Sequence, residues 1–317
     1  MNTILIAGAG QLGSRHLQGV KRSNHELDIW VYDLSEESLK IAKERYDQIE
    51  MTTEKSVHFV TSLDSVPTEI DVVIVASGSK PRAIIVKQIL AAKHVRYMVL
   101  EKFLFTRLAE YDEIGALIRE KGIKTWVNCT RRMLDIYNYV RKNIDSTKPI
   151  EFIYEGQNWG LCCNSIHFID MLMCLSGEDD YSIDLNDIDK EIIESKRKGY
   201  IELIGTEIIT TPKGNKLILS SLKEFKGNAK STIKNGEKVI EIFEGEELVV
   251  IDGVSKPISL QYQSELSGIL VDVLLETSNC PLTPYNLSAK YHMQFLNSIL
   301  SFVNKLKGVD SDSCPIT

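Results

Sequence analysis

The sequence predicts an α/β chain: an N-terminal doubly wound parallel sheet, then a C-terminal α+β domain with a large open antiparallel sheet. Three observations predict it. Strand-length apolar runs alternate with segments of helical period through the first 128 residues. Glycines at 8, 10 and 13 fall where the first strand meets the first helix. From Gly199 onward, alternating runs follow one another with only turn signals between them.

Thr3–Ala7 is an apolar run ending in glycine, a buried strand, and Gln11–Arg22 carries a helical period. Asp28–Tyr32 is a second strand. Ser35–Gln48 is a helix, with Ser35 placed to cap it and Glu36 and Glu37 in its positive first turn. Val57–Val60 is a short strand. Asp71–Ala76 is almost wholly apolar, as a strand covered on both faces must be. Pro81 suits the first turn of a helix over Pro81–Ala92. Val95–Leu100, Arg107–Lys121 and Thr125–Asn128 complete a strand, helix, strand series, which implies a parallel sheet. Beyond residue 128 come a helix over Met133–Asn143, a strand over Ile150–Glu155 and a mostly apolar helix over Asn164–Leu175. Strands follow at Tyr200–Thr210, Lys216–Leu222, Ser231–Lys234, Val239–Phe243 and Glu247–Ile251. Asn235-Gly236 favours a two-residue hairpin. Helices over Gln261–Glu276 and Tyr285–Lys307 close the chain, and the polar tail Gly308–Thr317 reads as loose. The expected domains are 1–128 and 129–317, the last helix returning to the first.

Composition narrows the function. The chain has 317 residues, 37 Lys+Arg against 44 Asp+Glu, hence 37 − 44 = −7, with 43% hydrophobic and 26% charged residues. That is the profile of a globular protein rather than a disordered or fibrous one. The acidic balance argues against a nucleic-acid partner. No apolar run reaches the eighteen residues a membrane helix needs, and the N-terminus lacks the basic region of a secretion signal. Six cysteines without zinc spacing read as reduced thiols in a cytoplasm, with no metal site.

Gly8-x-Gly10-x-x-Gly13 between strand and helix is the Rossmann dinucleotide fingerprint: a tight turn, close backbone approach to a pyrophosphate, and close helix–strand packing. Asp33, at the end of the second strand, can accept hydrogen bonds from ribose hydroxyls and would repel a 2′-phosphate. Leu34-Ser35-Glu36-Glu37 supplies no cation to hold one, so NAD is expected rather than NADP. Two further places carry possible chemistry. Glu101-Lys102 follows a parallel strand at its carboxyl edge, where a lysine can stabilise an alkoxide or relay a proton. On the helix after Cys162, Cys163, His167 and Asp170 share a face, with Asn164 one turn before His167. Asp170 can orient the imidazole or hold a packing contact. The residues alone leave open a solvated lysine ending a strand and a satisfied core histidine. The gap between the two domains is the expected substrate site.

In this order the residues resemble the Gfo/Idh/MocA oxidoreductases, named for glucose-fructose oxidoreductase and inositol dehydrogenase. The resemblance rests on the glycine turn, Asp33, Glu101-Lys102, the helix with Asn164 and His167, and the run Val127–Arg132. It implies a nicotinamide coenzyme and a secondary alcohol or ketone on a sugar, polyol or sugar nucleotide. Lys102 and His167 would be catalytic. Gly8, Gly10, Gln11, Leu12, Gly13, Asp33, Ser77, Glu101 and Lys102 would bind the coenzyme. Lys102, Arg131, Asn164 and His167 would bind substrate, with Arg131 or Arg132 meeting a carboxylate or phosphate. Trp159-Gly160-Leu161 and Cys280–Tyr285 with Ser288 and His292 resemble a subgroup of surface-polysaccharide sugar pathways. The open sheet implies a homodimer or homotetramer. Phe103 stands where the family has proline, and Cys163 where it often has aspartate. Those departures motivate an alternative, an NAD-binding regulatory or sensor protein on the same fold. A lesser option is reduction of a non-carbohydrate ring or imine.

Overall fold

The computed structural model describes residues 1–50 and 53–317. They form two compact units, the first of residues 1–105, 109–130 and 261–288, the second of 106–108, 131–260 and 289–317. The chain opens with β1 (Asn2–Ala7), α1 (Gln11–Lys21), β2 (Leu27–Tyr32), α2 (Glu36–Asp47), β3 (Lys55–Val60), β4 (Glu69–Val75), α3 (Ser79–Ala92), β5 (His94–Leu100), α4 (Leu108–Glu120) and β6 (Lys124–Val127). It continues through α5 (Asp135–Asn143), β7 (Ile150–Gln157), α6 (Leu161–Ser176), β8 (Ser182–Glu194), β9 (Ile201–Thr210), β10 (Lys216–Leu222), β11 (Lys230–Asn235), β12 (Lys238–Phe243), β13 (Leu248–Ile251) and β14 (Val254–Pro257). It ends with α7 (Gln263–Thr277), β15 (Thr283–Pro284) and α8 (Tyr285–Lys307).

The first sheet has the order β15-β6-β5-β4-β1-β2-β3. β1 to β6 are parallel, and β15 pairs antiparallel with β6. Its centre is apolar on both faces: Ile4, Leu5, Ile6 and Val72 to Val75 are fully buried. The order reverses between β1 and β4, so the loops at their carboxyl ends part and leave room for a ligand. α7 packs on α1 at a glycine crossing, where a Cβ added to Gly268 would lie 2.4 Å from the Gly19 carbonyl oxygen.

The second sheet has eight strands in the order β14-β13-β12-β11-β7-β10-β9-β8. It is antiparallel except for β7 and β10, which are parallel. The expected antiparallel sheet is therefore two meanders flanking β7. β7 leads into a helix rather than a hairpin, so its partners come from later strands. β8 is not announced by the sequence: its acidic, largely exposed edge residues and two register shifts against β9 blur the alternation. α6 packs on β9 and β10. The tail differs from expectation. Cys314 and Ile316 are fully buried, Cys314 N–H donates to Thr106 O and Ile201 N–H to Pro315 O, both at 2.9 Å. Alternating Cys and Ile anchor a segment whose polar neighbours suggested mobility. Among the described residues, no helix is long and apolar enough to cross a membrane.

Candidate active site

The helix starts that follow β1 and β2 differ in a way that points to a ligand. α2 is capped by the Ser35 hydroxyl, which accepts from Ser38 N–H, and carries Glu36 and Glu37 in its first turn. α1 starts at Gly10 with no side-chain cap and no acid in its first turn. Its N–H groups and positive dipole end are left for an anion. The glycines divide the labour. A Cβ on Gly13 would sit 1.8 Å from Gly8 O, and one on Gly8 would sit 2.9 Å from Ser77 N, so both are packing glycines, and Gly8 also holds φ 106°. A Cβ on Gly10 would meet nothing within 4 Å. That open room against bare backbone is what a pyrophosphate requires. Exposed Gln11 and half-buried Leu12 continue the turn.

Asp33 serves the turn as well as the expected ligand. Its Oδ2 accepts from Ala9 N–H at 2.7 Å and its Oδ1 from Ser35 N–H at 2.9 Å. Two of about four acceptor positions remain for ribose hydroxyls. A cavity of about 480 Å³ lies at the end of β3, walled by Leu39, Phe59 and Val60 with Thr61 and Ser62 at its rim. Asp33 N–H donates to Val60 O, which puts that cavity beside the carboxylate. The sequence offered no motif for this cavity. Arg45 was also missed: its guanidinium reaches Gln11 Oε1 at 2.7 Å and Ser14 Oγ, adding positive charge to the turn.

Lys102 is the only residue of the run 101–106 that is not buried. Its neighbours are held by side chains remote in sequence. Glu101 accepts from His16 Nε2 at 2.8 Å and from the Asn128 amide, while His16 Nδ1 lies 2.9 Å from Ser267 Oγ. A carboxylate only accepts, so Nε2 carries the hydrogen. Burial pushes the Glu101 carboxyl up, but His16, the Asn128 amide and the Arg82 charge outweigh it and hold it below its usual range. Arg82, 1% exposed, donates to the carbonyls of Phe103, Leu104 (2.8 Å) and Ser77. Phe103 is buried, and the Lys102–Phe103 peptide is cis. Gly8, Gly10, Gly13, Asp33, Ser77, Glu101 and Lys102 all lie in the first unit.

Arg131, Asn164 and His167 lie in the second unit. α6 is buried through its first three turns except at Cys163, Asn164 and His167, which form one accessible stripe. Asn164 Nδ2 donates to Trp159 O at 2.8 Å, closing the turn at Gly160 (φ 84°). Asp170 is 1% exposed and takes a bidentate hydrogen-bonded pair from Arg132 (2.6 and 3.2 Å). Arg131 is likewise already paired: Nη2 reaches the Glu244 carboxylate at 3.2 and 3.3 Å, and its guanidinium carbon stands 4.0 Å from the centroid of the Phe168 ring. Neither arginine is the unpaired cation expected to meet an acidic substrate. Their carboxylate partners lie 113 and 38 residues away, beyond any local pattern. His292 is buried on α8. Among the described residues, no group of three or more His, Cys, Asp or Glu is arranged to hold a metal ion.

A bare helix start, an open glycine and a free-edged carboxylate together specify an NAD-binding oxidoreductase fold. Residues 2–129 match the family model GFO_IDH_MocA, described as oxidoreductase family, NAD-binding Rossmann fold. No curated protein matches the chain in sequence. Solved structures share its fold over nearly its full length. An oxidoreductase from Agrobacterium radiobacter, solved with NAD+, L-tartaric acid and magnesium, is 13% identical with TM-score 0.72, covering 96% of this chain and 97% of that one. UDP-N-acetylglucosamine 3-dehydrogenase from Acidithiobacillus ferrooxidans is 13% identical, TM-score 0.68, covering 94% and 96%. Biliverdin reductase from Synechocystis, solved with biliverdin and NADP+, is 15% identical, TM-score 0.67, covering 95% and 98%.

Proposed function

We propose that this chain interconverts a secondary alcohol and a ketone on a sugar, sugar nucleotide or polyol, residues 1–128 serving the coenzyme and 129–317 the substrate. NAD, when bound, supplies or takes up the hydride. Gly8, Gly10, Gln11, Leu12, Gly13 and Asp33 hold its adenosine diphosphate half, and Ser77, Glu101 and Lys102 serve the nicotinamide half. In the direction of oxidation, Lys102 polarises the reacting oxygen and stabilises the developing alkoxide. His167 takes the hydroxyl proton and returns it in the reverse direction. Asn164 orients the hydroxyl by hydrogen bonding, and Arg131 contacts the same substrate. The observation that carries this reading is the presentation of Lys102, the one half-buried side chain on an otherwise buried and clamped loop at the carboxyl edge. Clamping Lys102 this firmly favours catalysis over the sensor alternative. The chain is proposed to work in the cytoplasm as a homodimer or homotetramer. Half-exposed Ile153, Ile218 and Ile208 lie in register across three neighbouring strands of the second sheet and support pairing through that face.

The test is reduced-nicotinamide absorbance with sugars, polyols and nucleotide sugars in both directions. Lys102→Ala and His167→Ala are each expected to lose roughly 10²–10⁴ in turnover while NADH still binds. Full activity in either variant removes that residue from the mechanism, and no turnover on any member of the panel favours the sensor.

A further inference from the structure

We propose that the Arg131–Glu244 pair selects neutral hydroxyl groups and turns away carboxylates, so that the substrate is an uncharged glycosyl or polyol unit at this contact. The proposal rests on the carbohydrate reading above and adds a substrate class to it. Arg131 sits in the turn Thr130–Met133 and Glu244 in a turn after β12. Their side chains are 13% and 31% exposed, so neither is sealed in the core. Glu244 Oε1 also accepts from the Tyr137 hydroxyl at 3.1 Å, and Arg131 Nε donates to that hydroxyl at 3.4 Å. Arg131 Nη1 makes no hydrogen bond among the described residues. An open N–H donor thus stands beside a carboxylate with acceptor capacity to spare.

The surroundings suit a carbohydrate. The guanidinium lies over Phe168, the residue after His167. The rings of Tyr154 and Trp159 lie 4.4 and 5.6 Å from that of Phe168, and both residues are half-exposed. Aromatic rims of this kind cover the C–H faces of a sugar, leaving its hydroxyls to polar partners. A hydroxyl can accept from Nη1 and donate to Glu244 in one stroke. A carboxylate at the same place accepts from Nη1 but offers Glu244 no hydrogen and brings a second negative charge against it. Arg131 is already neutralised, so its own charge does not compensate.

The experiment uses Glu244→Gln in the full chain. The amide keeps the size and an acceptor oxygen for Tyr137 and Arg131 while removing the negative charge. Binding is measured by titration calorimetry with two matched pairs, glucose against glucuronate and UDP-glucose against UDP-glucuronate, which differ only in a CH₂OH or a carboxylate. The wild type is expected to prefer the neutral member of at least one pair, and Glu244→Gln to shift that ratio about tenfold toward the acid. Glu244→Asp, which keeps the charge, retains the wild-type preference. Binding of neither member, equal or tighter binding of the acid by the wild type, or an unchanged ratio in a folded Glu244→Gln variant overturns the proposal. Binding with the expected preference but no turnover defeats the redox reading instead and leaves this selectivity standing.

Discussion

Lys102 and His167 are presented by opposite constructions. The lysine stands on a loop held by a buried polar network, in which His16 on α1, Arg82 on α3 and Asn128 just after β6 grip the residues around it. The histidine stands on a helix whose hold is apolar, with Phe168, Ile169, Leu172 and other neighbours packed against the second sheet. A polar clamp has few members, each with directional partners, so losing one leaves buried groups unsatisfied. Apolar packing spreads its hold over many contacts, and a single truncation is absorbed as lost stability rather than lost geometry. The two mounts should therefore fail differently.

Among residues that hold the two mounts, the largest effect on turnover is expected at Arg82. Arg82→Met fills similar space but abandons the carbonyls of Ser77, Phe103 and Leu104. Turnover should fall by up to about 10²-fold in protein that remains folded by circular dichroism. Wild-type turnover in Arg82→Met would show that the loop holds itself. A smaller functional effect and a larger thermodynamic one are expected from Leu172→Ala on α6. Unfolding free energy should drop by about 2–5 kcal/mol, while kcat at a temperature where the variant is folded stays within about threefold. A collapse of kcat with little change in stability would reverse the comparison. The gentlest probe is Glu207 on β9, a fully buried carboxyl of the second unit that burial, reinforced by the Glu202 charge, pushes up to about 8. Its folded-state value lies above its unfolded one, so its contribution to stability is complete below the ordinary carboxyl range near about 4.3 and is lost as pH rises toward 8. Glu207→Gln should flatten the fall in melting temperature between about pH 5 and 8. An identical slope in both proteins would mean that Glu207 does not titrate in that window.

What could be read from the sequence follows the range of the forces involved. The parallel sheet, the glycine turn, Asp33 and the run of α6 depend on local period and spacing, and they stand where the residues placed them. The partners that give the site its character are remote. His16 meets Ser267 across 251 positions and Glu101 across 85, and Arg131 meets Glu244 across 113. No pattern in one sequence marks such pairs, so Arg131 reads as an unpaired cation until its carboxylate is seen. β8 escaped for a different reason: an edge strand needs only one partner and no covered face, so its side chains need not alternate cleanly.

The contact of Gly19 with Gly268 bears on how this protein can be dissected. A coenzyme-binding fragment cut near residue 130 would lack α7, baring the small-residue face of α1 and cutting His16 off from Ser267. An autonomous module would have to graft residues 261–288 back through a short artificial linker. Swapping coenzyme modules between homologues calls for the same discontinuous graft.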